Sequence, residues 1–289
     1  MKFDPQISFG HADVGEVTLH YATAGRGERI VLLLHGFPEF WYSWRRQLVS
    51  LSDEYTVVAP DLRGYNLSDK PQDIASYSSD KLVADIAGLI RHFGATDAAV
   101  IGHDWGAAIA WAFARQHPEM TWKLAALQVP PPDVWKRNMT LKQALASWYM
   151  FFFQLPWVPE WIASRNDFAR LESSLRETAA VPVFTDYDIA IYRESWHRSD
   201  RLRGPINYYR ANIIGRLFGR DKAPSHRITA PTLFIYGEKD HAILPTTTRD
   251  IAATVDGPYR EHRIPNSGHW AQQEASDEVT EVLREFLRD

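Results

Sequence analysis

The fold of this chain is decided by the stretch Val100-Ile101-Gly102-His103-Asp104-Trp105-Gly106-Ala107. Its apolar first residues predict a buried strand, its glycines predict a sharp turn around Asp104, and the residues from Ala107 onward predict a helix. A carboxylate held in such a turn can attack a saturated carbon, and its attack leaves an alkyl ester that water must then open. The sequence therefore places a candidate nucleophile between a strand and a helix.

On both sides of this stretch, strand and helix patterns alternate. Strand patterns lie at 16–22, which we expect at an edge, and at 30–34, 55–60, 98–101, 123–129, 230–237 and 259–264. Helix patterns lie at 41–51, 107–116, 246–255 and 277–287. Another helix begins where Ser79 or Asp80 can cap it, and its apolar face runs from Leu82 to Ile90. Such alternation predicts βαβ units in a mostly parallel, doubly wound α/β sheet.

The alternation stops at Pro130-Pro131-Pro132 and resumes near residue 227. The residues between are rich in aromatic side chains and have helical patterns without intervening strands. We therefore predict a core of residues 1–132 and 227–289, with a helical cap of residues 133–226 inserted into it.

Composition narrows the classes of function. The chain has 289 residues, 45% of them apolar, and a net charge of −4, so we expect no nucleic-acid partner. It has no cysteine, which excludes disulfides and thiolate catalysis, and no ligand cluster that predicts a metal or an organic cofactor. The first residues lack the apolar stretch of a secretory signal, and the apolar runs 30–34 and 148–153 are too short to span a bilayer. We expect a cytoplasmic protein without a membrane partner. The sequence does not decide whether the protein forms a homodimer.

Three loops that leave predicted strand ends carry a candidate catalytic triad. Ligands of doubly wound sheets bind at the carboxyl ends of the strands, where Asp104, Asp240 and His269 would meet. Asp104 is ionised at neutral pH and needs no base, whereas His269 would deprotonate the water that opens the ester. Asp240 would orient His269 and stabilise its imidazolium. Glu238 is a neighbouring alternative to Asp240, and Gln128, at the end of the preceding strand, cannot serve as the acid.

These segments resemble the epoxide hydrolase branch of the α/β-hydrolases. The elbow pattern at 102–106 and the order nucleophile, acid, histidine are those of the superfamily. The branch is indicated by three further segments, His35-Gly36-Phe37-Pro38-Glu39, Trp41-Tyr42-Ser43-Trp44-Arg45 and Asp61-Leu62-Arg63-Gly64-Tyr65. The resemblance covers almost the whole chain and implies an α/β-hydrolase fold that converts a small-molecule epoxide to a vicinal diol. Asn66 and Gln128 depart from the pattern of many relatives, and we expect neither to touch the chemistry.

Two tyrosines of the cap are implied by the resemblance as acids that protonate the epoxide oxygen. The segment 203–210 resembles the second tyrosine motif of the family and places Tyr209 at the donor position, with Tyr208 as the alternative. The segment 148–154 resembles the first motif and places Tyr149 there, although this side chain could also simply pack. Haloacid, fluoroacetate and haloalkane dehalogenases share most of the motifs and are the alternative. Fluoroacetate dehalogenases carry a His-Trp pair that binds halide, whereas this chain has Tyr149-Met150, and methionine has no N–H donor.

The remaining site predictions are of three kinds. The backbone N–H groups of Phe37 and Trp105 would form an oxyanion hole. Glu39 and His103 would hold the hydrolytic water, or would be buried structural residues behind the nucleophile. An apolar substrate pocket would be lined by Phe37, Trp105, Trp148, Met150, Phe151 and Phe152, with core packing as the alternative for each residue.

A catalytically silent binding module is a third class of function. Such a module would usually lack the nucleophile or the histidine, and this chain has both.

Overall fold

Eight strands form one sheet at the centre of the protein. The structure is a computed structural model that describes residues 3–218 and 226–289, with side chains up to 213 and from 226. The strand order is β1-β2-β4-β3-β5-β6-β7-β8, antiparallel at β1-β2 and β2-β4 and parallel from β4 to β8. The strands are β1 Ser8–Asp13, β2 Thr18–Ala24, β3 Ile30–Leu34, β4 Thr56–Pro60, β5 Ala98–His103, β6 Thr121–Leu127, β7 Thr232–Gly237 and β8 Tyr259–Ile264.

Helices cover both faces of this sheet because its central strands are apolar on both faces. Successive residues of a strand point to opposite faces. In β3, Ile30, Leu32 and Leu34 accordingly join one buried cluster, whereas Val31 and Leu33 join the other. The first cluster includes side chains of α2 (Ser79–His92) and α3 (Trp105–Gln116). The second includes side chains of α1 (Arg45–Ser50) and of the helix Ser276–Arg288 at the end of the chain. The sheet is therefore the doubly wound α/β arrangement expected from the sequence.

Between β6 and β7 the described chain is helical. The helices there are α4 Pro132–Arg137, α5 Leu141–Ala146, α6 Trp148–Phe152, α7 Val158–Ser164, α8 Ala169–Thr178, α9 Asp186–Arg198 and α10 Arg203–Phe218. Two further helices, α11 Ala271–Glu274 and α12 Ser276–Arg288, end the chain. The cap helices are joined to the core by buried polar contacts, such as the bond of 2.7 Å from the Trp196 indole N–H to the Pro38 carbonyl. The domain boundaries at 132/133 and 226/227 stay a prediction.

The structure corrects three details of the sequence-based prediction. The edge strand is β1, which the sequence did not indicate because most of its side chains are solvent-exposed; β2, predicted at the edge, pairs on both sides. The N-cap of α2 is Ser78, one residue before the predicted candidates. The predicted helix 246–255 is two 3-10 segments, Pro245–Thr248 and Ile251–Thr254, since Arg249 is extended and Asp250 has a φ of 60°.

Among the described residues, we find no helix that combines the length and the apolar character needed to cross a bilayer.

Candidate active site

The turn that carries Asp104 is built by close backbone approaches. Asp104 follows β5 and precedes α3 with a φ of 52°, a conformation that is strained for a residue with a side chain. A Cβ atom on Gly102 would lie 2.2 Å from the Gly106 carbonyl oxygen, and one on Gly106 would lie 2.1 Å from the Leu34 carbonyl oxygen. Only glycine fits at these two positions, which explains why small residues flank the carboxylate.

The two oxygens of the Asp104 carboxylate have different surroundings. Oδ1 accepts a hydrogen bond of 2.8 Å from the Phe37 N–H, whereas Oδ2 lies 3.7 Å from His269 Nε2. Among the hydrogen bonds between described residues, we find none from the Trp105 N–H to the Asp104 carboxylate. Burial would raise the pKa of Asp104, but the positive charge of the neighbouring His269, together with the Phe37 N–H, outweighs burial and lowers the pKa. Asp104 is therefore an ionised carboxylate with one oxygen held and the other beside the histidine.

His269 lies between two carboxylates. Its Nδ1 is 2.8 Å from Asp240 Oδ2, while Asp240 Oδ1 accepts hydrogen bonds from the Ala242 and Ile243 N–H groups at 2.7 and 3.0 Å. Burial opposes protonation of the imidazole, but the charges of Asp240 and Asp104 and the hydrogen bond to Asp240 outweigh burial and raise the pKa of His269. The structure thus brings Asp104, His269 and Asp240 together at the carboxyl ends of β5, β7 and β8.

Gln128 contacts the candidate triad, so the expectation that it would not touch the chemistry is wrong. Its φ of 68° turns the chain just after β6 and sets the amide between the ends of β7 and β8. The amide donates 2.8 Å hydrogen bonds to Asp240 Oδ2 and to the Gly268 carbonyl, and its oxygen accepts one of 2.6 Å from the Gly237 N–H. Its amide cannot act as an acid, yet it holds the carboxylate of Asp240, the candidate acid, in place. Asn66, the other departure, donates to Asp61 rather than to the triad.

Glu39 and His103 form a buried pair behind the candidate triad. Both side chains are fully buried; His103 Nδ1 lies 2.9 Å from Glu39 Oε2, and His103 Nε2 lies 2.8 Å from the His269 carbonyl. The sequence reasoning missed Gln272 and Gln273, whose amides donate to Glu39 at 3.0 and 2.7 Å. A glutamine pair at the start of a short helix usually faces water, so no local signal identified these residues.

The two predicted cap tyrosines share a cavity with Asp104, the candidate nucleophile. The cavity has a volume of about 1150 Å³, and its walls include Asp104, Trp105, Tyr149, Met150 and Tyr209. The Tyr149 and Tyr209 rings are 5.9 Å apart and meet edge to face. Burial, and next the charge of Asp104, raise the pKa of both phenols, so both are protonated at neutral pH.

Tyr208, the alternative to Tyr209, points elsewhere. Its hydroxyl donates a 2.9 Å hydrogen bond to the Arg63 carbonyl, and its ring is fully buried. Adjacent residues of a helix are about 100° apart around the axis, so Tyr208 and Tyr209 face different neighbours. Of the two, Tyr209 is the one beside Asp104.

The structure narrows the predicted pocket. Trp105 and Met150 line the cavity, whereas Trp148, Phe151 and Phe152 do not, and Trp148 and Phe151 are exposed. The physical reason is that α6 turns Tyr149 and Met150 inward, which carries the residues before and after them to the outside. Phe37 packs its ring against Tyr209, with the centroids 5.6 Å apart, and is not on the cavity wall.

No group of three or more His, Asp or Glu side chains within residues 3–213 and 226–289 is arranged to hold a metal ion.

Comparisons with known proteins agree with this geometry. Residues 29–276 match the model of the alpha/beta hydrolase fold family. The chain is 39% identical to the AB hydrolase superfamily protein YfhM of Bacillus subtilis, over 94% of this chain and 95% of that protein. It is 38% identical to Epoxide hydrolase 1 of Caenorhabditis elegans, over 94% of this chain and 68% of that protein.

Among solved structures, the crystal structure of an epoxide hydrolase from Bacillus megaterium in complex with an inhibitor superposes with a TM-score of 0.88. The two chains are 32% identical, and the match covers 97% of this chain and 100% of the other. The similarity thus extends over the strands, the loops of the candidate site and the cap alike. The chain belongs to the α/β-hydrolase superfamily and, within it, to the epoxide hydrolase family.

Proposed function

We propose that this protein converts an epoxide and water to a vicinal diol through an alkyl ester on Asp104. The observation that carries the proposal is the juxtaposition, in one cavity, of an ionised carboxylate and two protonated phenols. A carboxylate opens a strained ether faster when an acid protonates the oxygen that leaves, since otherwise a strongly basic alkoxide must form. The relatives that are named epoxide hydrolases support the same reaction. A cytoplasmic location and a homodimer stay predictions.

In the first step, Asp104 Oδ2 attacks one carbon of the epoxide. The bond from that carbon to the ring oxygen breaks, and the electron pair goes to the oxygen. Tyr149 or Tyr209 hydrogen-bonds this oxygen and donates a proton to it, which avoids the release of a bare alkoxide. The raised pKa of each phenol keeps the proton in place until the alkoxide forms. The step ends with an ester on Asp104 and a hydroxyl on the neighbouring carbon.

In the second step, water attacks the Cγ carbon of the ester. His269 takes a proton from this water, and Asp240 stabilises the resulting imidazolium across the 2.8 Å hydrogen bond. The Phe37 N–H already donates to Oδ1, so it is positioned to stabilise the negative charge that develops on this oxygen. When the tetrahedral intermediate collapses, the bond from Cγ to the substrate oxygen breaks and that oxygen takes the proton of the attacking hydroxyl group. The diol leaves, the Asp104 carboxylate is regenerated, and His269 keeps the proton that it took from the water.

The change of charge at Asp104 prepares His269 for this second step. In the resting site the Asp104 carboxylate helps to raise the pKa of His269. Esterification neutralises that carboxylate, so the imidazolium loses one of its two anionic neighbours and its pKa falls. The imidazolium proton then passes to the tyrosinate left by the first step, which restores the phenol. The histidine therefore becomes a base only after the ester has formed, when a base is needed.

The dehalogenase alternative uses the same triad and differs in the leaving group. A halide leaves as a stable anion that is held by N–H donors. This chain has Tyr149 and Met150, both on the cavity wall, where fluoroacetate dehalogenases carry a His-Trp pair. A methionine thioether donates no hydrogen bond. This lining favours an epoxide oxygen, which accepts a proton, over a halide.

The deciding experiment is product analysis with the purified enzyme and its Asp104→Ala variant. A terminal aryl epoxide and fluoroacetate are supplied in parallel, and diol and fluoride are measured. We expect diol from the epoxide with the wild type and none above the uncatalysed rate with the variant. Fluoride without diol would refute the proposal in favour of the dehalogenase, and equal diol yields from both proteins would remove Asp104 from the reaction.

A further inference from the structure

The outer face of the cap carries an unusual concentration of exposed apolar side chains. Seven of the eleven large apolar side chains that are exposed in the described part of the chain lie within residues 141–161, at 46–79% exposure. We name this surface the cap stripe, and it comprises Leu141, Leu145, Trp148, Phe151, Leu155, Trp157 and Trp161. Single exposed apolar residues are ordinary, whereas a contiguous set of this kind marks an interaction surface.

The stripe is held facing outward by the opposite face of the same helices. Along α5 and α6 its members recur every three or four residues, which sets them on one face. On the other face, Gln143 is fully buried and donates to the Ala242 carbonyl at 2.8 Å while accepting from the Leu244 N–H at 2.8 Å. Met150, also on the inner face, lines the catalytic cavity. The helices therefore cannot rotate to bury the stripe without breaking these contacts.

Trp157, the N-cap residue of α7, and Trp161, within α7, are joined to the rest of the stripe by Arg210. This guanidinium donates to the carbonyls of Phe153 and Leu155 at 3.0 and 2.6 Å, which holds the turn after α6. It also forms two hydrogen bonds with the Glu160 carboxylate on α7, at 2.5 and 3.0 Å. The turn and α7 are thus fixed to one another, and Trp157 and Trp161 stay exposed beside them.

The charges around the stripe are almost all positive, in a chain whose net charge is −4. Residues 134–165 contain four cations, Lys136, Arg137, Lys142 and Arg165, all of them exposed. The one carboxylate of this segment, Glu160, is buried and paired with Arg210. The acidic residues that flank the segment are also paired, Asp133 with Arg115 and Asp167 with Arg193 and His197.

We propose that the cap stripe docks the protein onto the surface of an anionic phospholipid membrane. Tryptophan, phenylalanine and leucine on one face, bordered by lysine and arginine, are the composition of elements that lie in the headgroup region of a bilayer. A second copy of the chain fits less well, because a twofold contact through this face would bring the cations of both copies together. Surface docking needs no membrane-spanning segment, so it is compatible with the absence of one from the sequence pattern.

The helices that carry or adjoin the stripe also line the cavity. Lys136, Arg137 and Met150 line it and belong to α4 and α6. The stripe and the cavity therefore lie on opposite faces of α6, so that docking through the outer face leaves Met150 in the cavity wall. The docking does not require activity and does not rest on the proposed function.

Flotation of the purified chain with lipid vesicles tests the apolar part of the proposal. We expect it to float with vesicles of phosphatidylcholine that contain 30 mol% phosphatidylglycerol, and the double variant Leu145→Ser/Trp157→Asn to bind at least tenfold more weakly. Asparagine is chosen because Trp157 has a φ of 52°, which asparagine tolerates. The matched control Ile74→Ser/Tyr187→Ser removes two exposed apolar side chains elsewhere and should bind like the wild type.

A second pair of variants tests the charge. Each cation near an anionic surface strengthens binding about fivefold, so Lys142→Glu/Arg165→Glu should weaken it at least about 25-fold. The control Arg46→Glu/Arg91→Glu makes the same change in net charge on exposed residues of the core and should leave binding unchanged. Replacing phosphatidylglycerol by phosphatidylcholine, or raising the salt concentration, should weaken wild-type binding in the same way. An unchanged melting temperature verifies that each variant is folded.

Three outcomes would overturn the proposal. The first is equal flotation of the wild type and the stripe variants, and the second is equal binding to neutral and anionic vesicles. The third is a homodimer, seen by sedimentation, that the stripe variants abolish while the wild type does not float. Because flotation and melting need no turnover, a failure of docking is distinguished from a failure of the proposed reaction.

Discussion

Replacing Gln128 by leucine should destabilise the protein and slow the hydrolysis of the ester. Leucine keeps the Cβ and Cγ atoms, so the strain at the φ of 68° is unchanged and the loss is confined to the amide. The amide joins the Gly237 N–H, the Gly268 carbonyl and Asp240 Oδ2, all of them buried, at 2.6, 2.8 and 2.8 Å. The variant would leave three buried polar groups short of a partner.

The magnitude follows from these three groups. Leaving the Gly237 N–H and the Gly268 carbonyl unsatisfied costs about 1–3 kcal/mol each, and losing one of the hydrogen bonds to the Asp240 carboxylate, which keeps its bond to His269, costs a similar amount. Because the variant no longer has to bury an amide, the net loss is about 4 kcal/mol. For a chain of 289 residues, the unfolding entropy is roughly 0.6 kcal/mol per degree. The melting temperature should therefore fall by about 7 °C.

Calorimetry or circular dichroism measures this shift, and single-turnover kinetics measures the two chemical steps. We expect decay of the ester on Asp104 to slow more than its formation, because Gln128 touches Asp240 and the His269 loop but not Asp104. Gln72→Leu, at an exposed glutamine, is the control and should shift the melting temperature by less than about 1 °C. The reasoning would be refuted if Gln128→Leu lowered the melting temperature by less than about 2 °C. It would also be refuted if ester formation and ester decay slowed equally.

Three further predictions address the reaction. His269→Gln should still form the ester but not open it, so mass spectrometry should find an adduct on Asp104 in near-stoichiometric amount; an unmodified protein after turnover conditions would contradict the two-step scheme. Tyr209→Phe should slow ester formation by about 10²–10⁴-fold, and the double change with Tyr149→Phe should nearly abolish it, as measured by stopped-flow kinetics; unchanged rates in the double variant would exclude the phenols as acids. Asp104→Asn should lower the pKa of His269, because it removes a carboxylate that raises this pKa, so the imidazole should lose its proton at lower pH than in the wild type; a nitrogen NMR titration that gives the same midpoint for both proteins would contradict the charge change proposed for catalysis.

The elbow and the sheet were accessible from the sequence because their signals are local. Residues 102 and 106 must be glycine because a Cβ atom there would collide with backbone atoms. Those backbone atoms lie within a few residues along the chain or in the adjoining strand. The central strands are continuous apolar runs, since both of their faces are covered. Strand β1 gave no such signal, because a strand at a solvated edge needs few apolar side chains.

The choice of Tyr209 over Tyr208, and of Met150 over Trp148, needed the tertiary structure. Helical spacing predicts that adjacent residues face different directions, but not which direction faces the nucleophile. That depends on how α6 and α10 lie on the core, where Tyr208 reaches the Arg63 carbonyl and Tyr209 borders the cavity. The aromatic run 148–153 therefore predicted pocket residues that do not line the cavity. Two of them, Trp148 and Phe151, belong to the exposed stripe instead.

By itself, the sequence determined the fold class, the candidate nucleophile and the chain order of the candidate triad. The reason is that apolar strands and glycines at close backbone approaches are required by residues nearby in the chain or in the adjoining strand. The tertiary structure alone decided that Gln128 supports Asp240, that Gln272 and Gln273 hold Glu39, and that the cap turns its tryptophans outward. These contacts join residues that are 100 or more positions apart for Gln128 and Asp240, and more than 200 for Glu39 and the glutamines. No local pattern encodes such pairs, since the packing of helices from different parts of the chain brings their polar atoms within hydrogen-bonding distance.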